Sequence, residues 1–427
     1  MTSEDVAPIC PEGFSVAPLA DLCDDTRGIT YGIVKVGEFV SDGVPVVRGG
    51  DVRNGQIATD DDKRVTSQVS ERFRRTILQG GEIVLNLIGE PGHSAIVPDR
   101  LAGANVTRDV AVIPVTRADA RFVNYFLQSP RCIAWLRAHL QGSVTLKINL
   151  GTLASLPVPN PPIDEQWRIA TILQAFDDKI DSNRRLTSLL EGIAAALFRA
   201  RLVDFVGVED FEASEIGPIP RGWTTGSLTS LARFINGKAF TKEANAEGRP
   251  ILRIKELNAG IRDDTLRTDV TAAEEYLARH HDILFAWSGS LAVYRWSGPE
   301  SLINQHIFKV IPEGYPPWFV YQWVRRHMPE FQAIARDKAT TMGHIQRRHL
   351  SEARVTLPDP DTLARMSDLL EPLDRWQGIL ASEIASLAAT RDALLPKLIS
   401  GETRVPDTTD SEEVIGPAAG QLAGAKT

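Results

Sequence analysis

A chain of 427 residues with 43% hydrophobic content is long enough for two or three domains, each with its own core. A net charge of −8 excludes a uniformly basic coat for nucleic acid, so any anionic partner must be met by local patches. No apolar run approaches the roughly 18 residues that cross a bilayer, and the start, MTSEDVAPIC, is polar and acidic rather than a signal sequence. Cys10, Cys23 and Cys132 lack Cys-x-x-Cys spacing, so a soluble cytoplasmic protein without disulfides or a zinc cluster is expected.

In chain order, the main feature is an internal repeat. PEGFSVAPLADL from Pro11 is answered by PRGWTTGSLTSL from Pro220. VPVVRGGDVRNGQ from Val44 is answered by RPILRIKELNAGI from Arg249, each an apolar pair, an arginine (Arg48, Arg253) and then a turn. GEIVLNLIGEPG from Gly81 matches HDILFAWSGSLA from His281, a strand turned at Gly89 or Gly289. DVAVIPV from Asp109 matches IFKVIPE from Ile307, a second buried strand. Each half then turns helical, RFVNYFLQSPRCIAWLRAHL from Arg121 and WFVYQWVRRHMPEFQAIAR from Trp318, with aromatic residues at core spacing. Each closes in a polar, threonine-bearing loop, from Gly142 and from Lys338.

A long amphipathic helix follows each half. After the prolines of SLPVPNPP, with Asp164 as the expected cap, Ile169, Leu173, Phe176, Ile180, Leu190 and Leu197 fall in alternating steps of four and three. Asn183, Thr187 and Ala194 fill the remaining seam positions. After TLPDPD the same step selects Met366, Leu370, Leu373, Leu380, Ile384, Leu387, Leu394 and Leu398, interrupted by Gln377 and Arg391. A helix of roughly 35 residues is about 50 Å long, and so long a stripe has to bury itself on another helix. An antiparallel pair is expected, because the polar breaks of the two seams then meet.

The expected fold is therefore α+β: two similar mixed α/β domains separated by two long helices that pair as an antiparallel coiled coil. The boundaries are residues 1–160, helix 161–205, residues 206–358, helix 359–404 and an acidic, disordered tail 405–427.

These residues resemble the specificity subunits of type I restriction–modification systems. PPIDEQWRIATIL, continued through DDKID, NRR, LLEGIAAALF and LVDF, resembles the first conserved region of that family, and LAATRDALLPKLISGETRV the second. The second helix departs in its lead-in, PDTLARMSD, which lacks the pair Glu165–Gln166. The resemblance implies a bacterial defence role in which each half is a target-recognition domain reading one part of a bipartite double-stranded DNA sequence. The helix pair would set the gap, which at about 50 Å is about one and a half turns of 34–36 Å. It also implies two methyltransferase subunits and restriction (motor-nuclease) subunits as partners, with no membrane involved. No chemistry would occur in this subunit, and S-adenosylmethionine, ATP and Mg would belong to the partners.

DNA-facing residues are expected where charge and hydrogen-bonding side chains gather. Arg121, Arg131, Arg137 and Lys147 lie in residues 120–150 without an acidic neighbour, and Arg325, Arg326, Arg336, Lys338, Arg347 and Arg348 lie in residues 321–350. The closing loops carry Ser143, Thr145, Lys147 and Asn149 in the first half, and Thr340, Thr341, His344, Gln346, Arg347 and Arg348 in the second. Arginine pairs with guanine, and asparagine or glutamine with adenine, through two hydrogen bonds. These loops, with Arg48 and Arg253, are the candidate interface.

Two other readings compete. Asn160-Pro161-Pro162-Ile163 is similar to the Asn-Pro-Pro-aromatic motif of amino-methyltransferases, which would make the chain a divergent DNA adenine methyltransferase. The aromatic is absent, however, and no Gly-x-Gly loop follows a predicted strand. A coiled-coil mimic that docks partners without reading DNA is the other alternative. Gly237-Lys238-Ala239 lacks the hydroxyl of a phosphate-binding loop, and His280–His281 reads as a turn rather than a metal site.

Overall fold

The computed structural model describes residues 14–53, 55–58, 63–142, 145–262, 264–337 and 343–405. The chain forms two compact units, Met1–Asp177 with Ala389–Thr427, and Asp178–Ala388. The division falls inside both long helices, within the expected helical segments 161–205 and 359–404. The tail from 406 lies outside the described residues.

Uninterrupted apolar runs make strands covered on both faces. In the first unit, Ile83–Asn86 and Val110–Ile113 are buried at every position and pair antiparallel. Thr30–Tyr31 and Ser94–Ile96 complete that four-stranded sheet at its edges. A second sheet sets Val44–Val47 parallel to Asn105–Val106 and antiparallel to Arg64–Val65. Ser15–Pro18 pairs with Pro157–Asn160, the strand that leads into the first long helix.

The second unit repeats this plan. Its central sheet runs Ala232–Asn236, Ile307–Pro312, Ile283–Ala286, Ala292–Arg295. Arg249–Leu252 lies parallel to Ser301–Ile303 and antiparallel to Arg267–Thr268. Thr224–Ser227 pairs with Arg354–Leu357 before the second long helix. The repeated sequence segments thus occupy matching strands. The helices that follow differ in one respect. Ser129 accepts a hydrogen bond from the Cys132 N–H and starts a new helix at Pro130, whereas Pro329 sits inside the continuous helix Pro317–Asp337.

The long helices span Ile163–Leu202 and Pro360–Ser400. In the first unit, Ile169 and Leu173 share a core with Leu395, Leu398 and Ile399, with Leu394 packed at its edge. In the second, Ala194, Phe198 and Leu202 share a core with Met366 and Leu370, joined by Leu197 and Leu373. The beginning of each helix therefore meets the end of the other, and the pair is antiparallel. Ile180 and Leu380 are buried, while Phe176, Leu190, Ile384 and Leu387 are half-buried. Toward the end of the first helix Phe198 is more deeply buried than Leu197, as expected when 3.6 residues per turn drifts against a 3.5-residue seam.

The polar breaks meet differently from expectation. Asn183 is buried, but among the described residues its amide nitrogen has no hydrogen-bond partner. It is Arg391 that finds an opposite charge across the seam, in Asp177, which also accepts from the Tyr125 hydroxyl at 2.6 Å. Burial works against the Arg391 charge, yet its bonds to Asp177 and Asp392 raise its pKa. In the second unit Asp374 takes two 2.7 Å contacts from Arg295 Nη2.

The helix starts also need correction. The first helix begins at Ile163, so the expected cap Asp164 is already inside the first turn. The junction is held instead by Gln166, which donates to Asn160 Oδ1 (2.8 Å) and the Pro161 carbonyl (2.9 Å) and accepts from the Asp119 N–H (2.9 Å). Asn160 is thereby engaged in building the helix junction. The second helix is capped by Asp359, which accepts from the Thr362 N–H (2.9 Å), the Thr362 hydroxyl (2.7 Å) and the Trp223 indole (3.1 Å). Pro360 takes the first helical position, where its missing N–H costs nothing. Cys23 and Cys132 are buried free thiols, and burial pushes Cys23 up to about 12.

Replacing Leu380 and Leu387 with Asp should destabilise the second unit by more than about 3 kcal/mol, because carboxylates enter an apolar seam without partners. Circular dichroism melting should show a lower or lost transition. Asp359→Ala should cost about 1 kcal/mol. The bonds from Thr362 hold the Asp359 carboxyl below its usual value. Its contribution is therefore complete above the unfolded value of about 3.9 and is lost as pH falls through the lower folded value. Wild type and variant should differ in denaturant midpoint near neutrality and converge in acid.

Candidate nucleic-acid interface

Both closing loops are stitched to a hairpin turn of the central sheet by the same pair of backbone bonds. In the first half, Gly89 N–H donates to the Leu146 carbonyl (3.0 Å) and Ile148 N–H to that of Leu87 (3.0 Å). In the second, Gly289 N–H donates to Gly343 (2.9 Å) and Ile345 N–H to Trp287 (3.1 Å). Ile148 and Ile345 are buried as anchors, which fixes the residues on either side of them. Lys147 corresponds to His344, and Asn149 to Gln346.

The expected residues divide by what they already hold. Lys147 and Thr145 are exposed, and the Lys147 backbone closes a two-bond pair with Gln141 (2.9 Å each way). Asn149 is exposed but donates its amide to Gln141 Oε1 at 2.8 Å. In the second loop Gln346, Arg347 and Arg348 are exposed. Arg347 reaches back to the Phe234 carbonyl (3.2 Å) and lies over the Phe308 ring, and Gln346 N–H donates to His349 Nδ1 (3.0 Å). Ser143, Thr340 and Thr341 lie outside the described residues.

Arg48 and Arg253 have matching local partners. Each donates its backbone N–H and its guanidinium edge to the carboxylate three residues on, Asp51 in one half and Glu256 in the other. Both carboxylates are buried, and the bond to Glu256 raises the Arg253 pKa. These arginines therefore brace the turn after the strand, with one guanidinium edge committed to a carboxylate in each half. Arg121 is likewise tied, to Asp119 and Gln174, and Arg325 pairs with Glu191 at 3.7 Å.

His280–His281 forms a turn: His281 has a φ of 72° and its N–H donates to the Trp296 carbonyl at 2.7 Å. Burial and the nearby Arg295 charge lower the His281 pKa. Among the described residues, no group of three or more His, Cys, Asp and Glu side chains could hold a metal ion. No described helix is long and apolar enough to cross a membrane. Trp287, half-buried beside His306 and His344, was not singled out by sequence, because its apolar strand context reads as core.

The sequence profile of the type I restriction modification DNA specificity domain matches residues 11–191 and 220–388, one copy on each half. The chain belongs to that family. It is 24% identical over 426 residues to the type I restriction enzyme MjaIX specificity subunit of Methanocaldococcus jannaschii, covering 93% of this chain and 95% of that one. It is also 24% identical over 442 residues to the EcoKI specificity subunit of Escherichia coli (strain K12), covering 95% and 92%. The solved S subunit of a type I restriction–modification system from M. genitalium has a similar fold, with a TM-score of 0.50 at 17% identity over 92% of this chain and 96% of that one. As a type I specificity protein, the chain recognises DNA sequence.

Lys147→Ala and Arg348→Ala should leave melting unchanged but weaken duplex binding, lowering the slope of log K against log salt by about 1 for each phosphate that is no longer neutralised. Arg48→Ala and Arg253→Ala should instead lower the melting temperature, because each strips the guanidinium from a buried carboxylate and leaves it the backbone N–H. Salt titrations of duplex binding, alongside thermal melts, separate the two classes.

Proposed function

We propose that this chain is the non-catalytic reader of a type I restriction–modification complex, each half recognising one part of a bipartite DNA target. The length of the antiparallel helix pair sets the gap between the two parts. The same helices carry two methyltransferase subunits, which restriction subunits join. S-adenosylmethionine, ATP and Mg are held by those partners, and this chain has no active site of its own. The observation that supports this reading best is the repetition of one strand plan in two halves whose loop residues differ. One scaffold used twice with different loops suits two different half-sites.

Methylome sequencing of cells carrying altered chains tests the reading. Deleting one turn, about 5.4 Å, from both long helices should change the gap by one to two base pairs, given about 3.4 Å per base pair, and leave both half-sites intact. An unchanged gap counts against the helices as the spacer. Exchanging residues 206–358 for the matching part of another specificity subunit should alter a single half-site. The isolated chain should not bind S-adenosylmethionine in calorimetry, and binding there would favour the divergent-methyltransferase reading.

A further inference from the structure

The two halves use the same backbone bonds at one locus but fill it with different side chains. Leu87 N–H donates to the Asp109 carbonyl (2.7 Å), as Trp287 N–H does to that of His306 (3.1 Å). Thr107 N–H donates to Val47 (2.9 Å), as Asn304 N–H does to Leu252 (3.0 Å). Leu87, Thr107 and Asp109 thus correspond to Trp287, Asn304 and His306. The first trio is internally satisfied. Asp109 Oδ2 accepts the Gly49 N–H at 2.9 Å, the Thr107 hydroxyl bonds Asp109 and the Val47 carbonyl, and Leu87 is 3% exposed.

The second trio is not. Asn304 is 7% exposed, and among the described residues its Oδ1 has no hydrogen-bond partner; nor has His306 Nδ1. His306 also holds a φ of 77°, a conformation disfavoured for any side chain beyond glycine. Trp287 is half-buried, clamped flat on Phe308 (5.6 Å between ring centres) and bonded through its indole N–H to Asn236 Oδ1 at 2.8 Å. The His306 ring lies 5.2 Å from the Trp287 ring, and His344 of the closing loop lies at 6.3 Å. The fold does not require this set, since the first half makes the same bonds with Leu, Thr and Asp. Unpaired buried polar atoms are costly, and backbone strain concentrates where a protein grips a ligand.

We propose that Trp287, Asn304 and His306 determine the base preference of the second half by contacting its duplex half-site. The amide and imidazole offer the acceptor and donor groups that pair with base edges, and the fixed indole offers an apolar face for a thymine methyl or a sugar. The inference rests on the reading of each half as a sequence reader.

The test grafts in the first half's residues, Trp287→Leu, Asn304→Thr and His306→Asp, singly and together, in the chain assembled with its methyltransferase subunits. His306→Gly is a control that relieves the positive φ while removing the imidazole. Binding to a library of bipartite duplexes randomised in both half-sites is the readout, with a thermal melt for each variant. Discrimination should fall about tenfold or more at one or more positions of the second half-site, with the first half-site unchanged. Folded variants that keep the wild-type preference would overturn the proposal, as would equal loss at both half-sites. If the wild-type complex itself shows no bipartite preference, it is the underlying function that fails.

Discussion

The structure depends on the antiparallel contact between two helices that lie far apart in sequence. The first unit is not a continuous piece of chain: its core is finished by Leu395, Leu398 and Ile399, which follow residues 178–388 in the sequence. Closing so long an excursion costs little more than closing a shorter one, because loop entropy grows only with the logarithm of length. What the contact must supply is specificity of register. Ion pairs at the seam do this, Arg391 with Asp177 in the first unit and Lys179 with Glu383 (3.3 Å) in the second. The exposed pair adds little stability, whereas the half-buried Arg391 would leave a stranded charge in any other register.

The same helix position serves both halves by different means. Asp177 and Asp374 stand equally far into their helices, and each receives a group from the domain packed on it. In the first unit that group is the Tyr125 hydroxyl, and in the second it is the guanidinium of Arg295, which lies over the Tyr321 ring. Burial pushes the Tyr321 hydroxyl up to about 12, so it stays neutral beneath the cation. A duplicated scaffold has kept the acceptor and changed the donor.

Sequence carried the fold further than it carried the site. Heptad steps and uninterrupted apolar runs are local patterns, so the paired helices and the buried strands Ile83–Asn86 and Ile283–Ala286 were legible. The four matched segments revealed the duplication, because they build the same strands twice. Helix starts were less legible. Gln166 reaches its three partners only after a strand, a turn and a neighbouring helix come together, whereas Asp164 had the better local pattern for a cap. The arginines at 48 and 253 looked like anion contacts by type, but the decisive feature was the carboxylate three residues later. Read as a pair, Arg-x-x-Asp and Arg-x-x-Glu point to a braced turn.

The proposed interface was less legible, because loops and hairpin turns far apart in sequence come together only through tertiary bonds. Gly89 to Leu146 and Gly289 to Gly343 join segments that sequence shows only as separate loops. Once the backbone makes those bonds, the strands keep their place with different side chains beside them. Leu87 can become Trp287 and Asp109 can become His306 with the strands in place. A duplicated scaffold can vary its side chains at such turns, because stability there is carried by main-chain bonds and buried isoleucines. The global acidity of the chain is compatible with an anionic partner, since phosphate neutralisation depends on local patches and not on net charge.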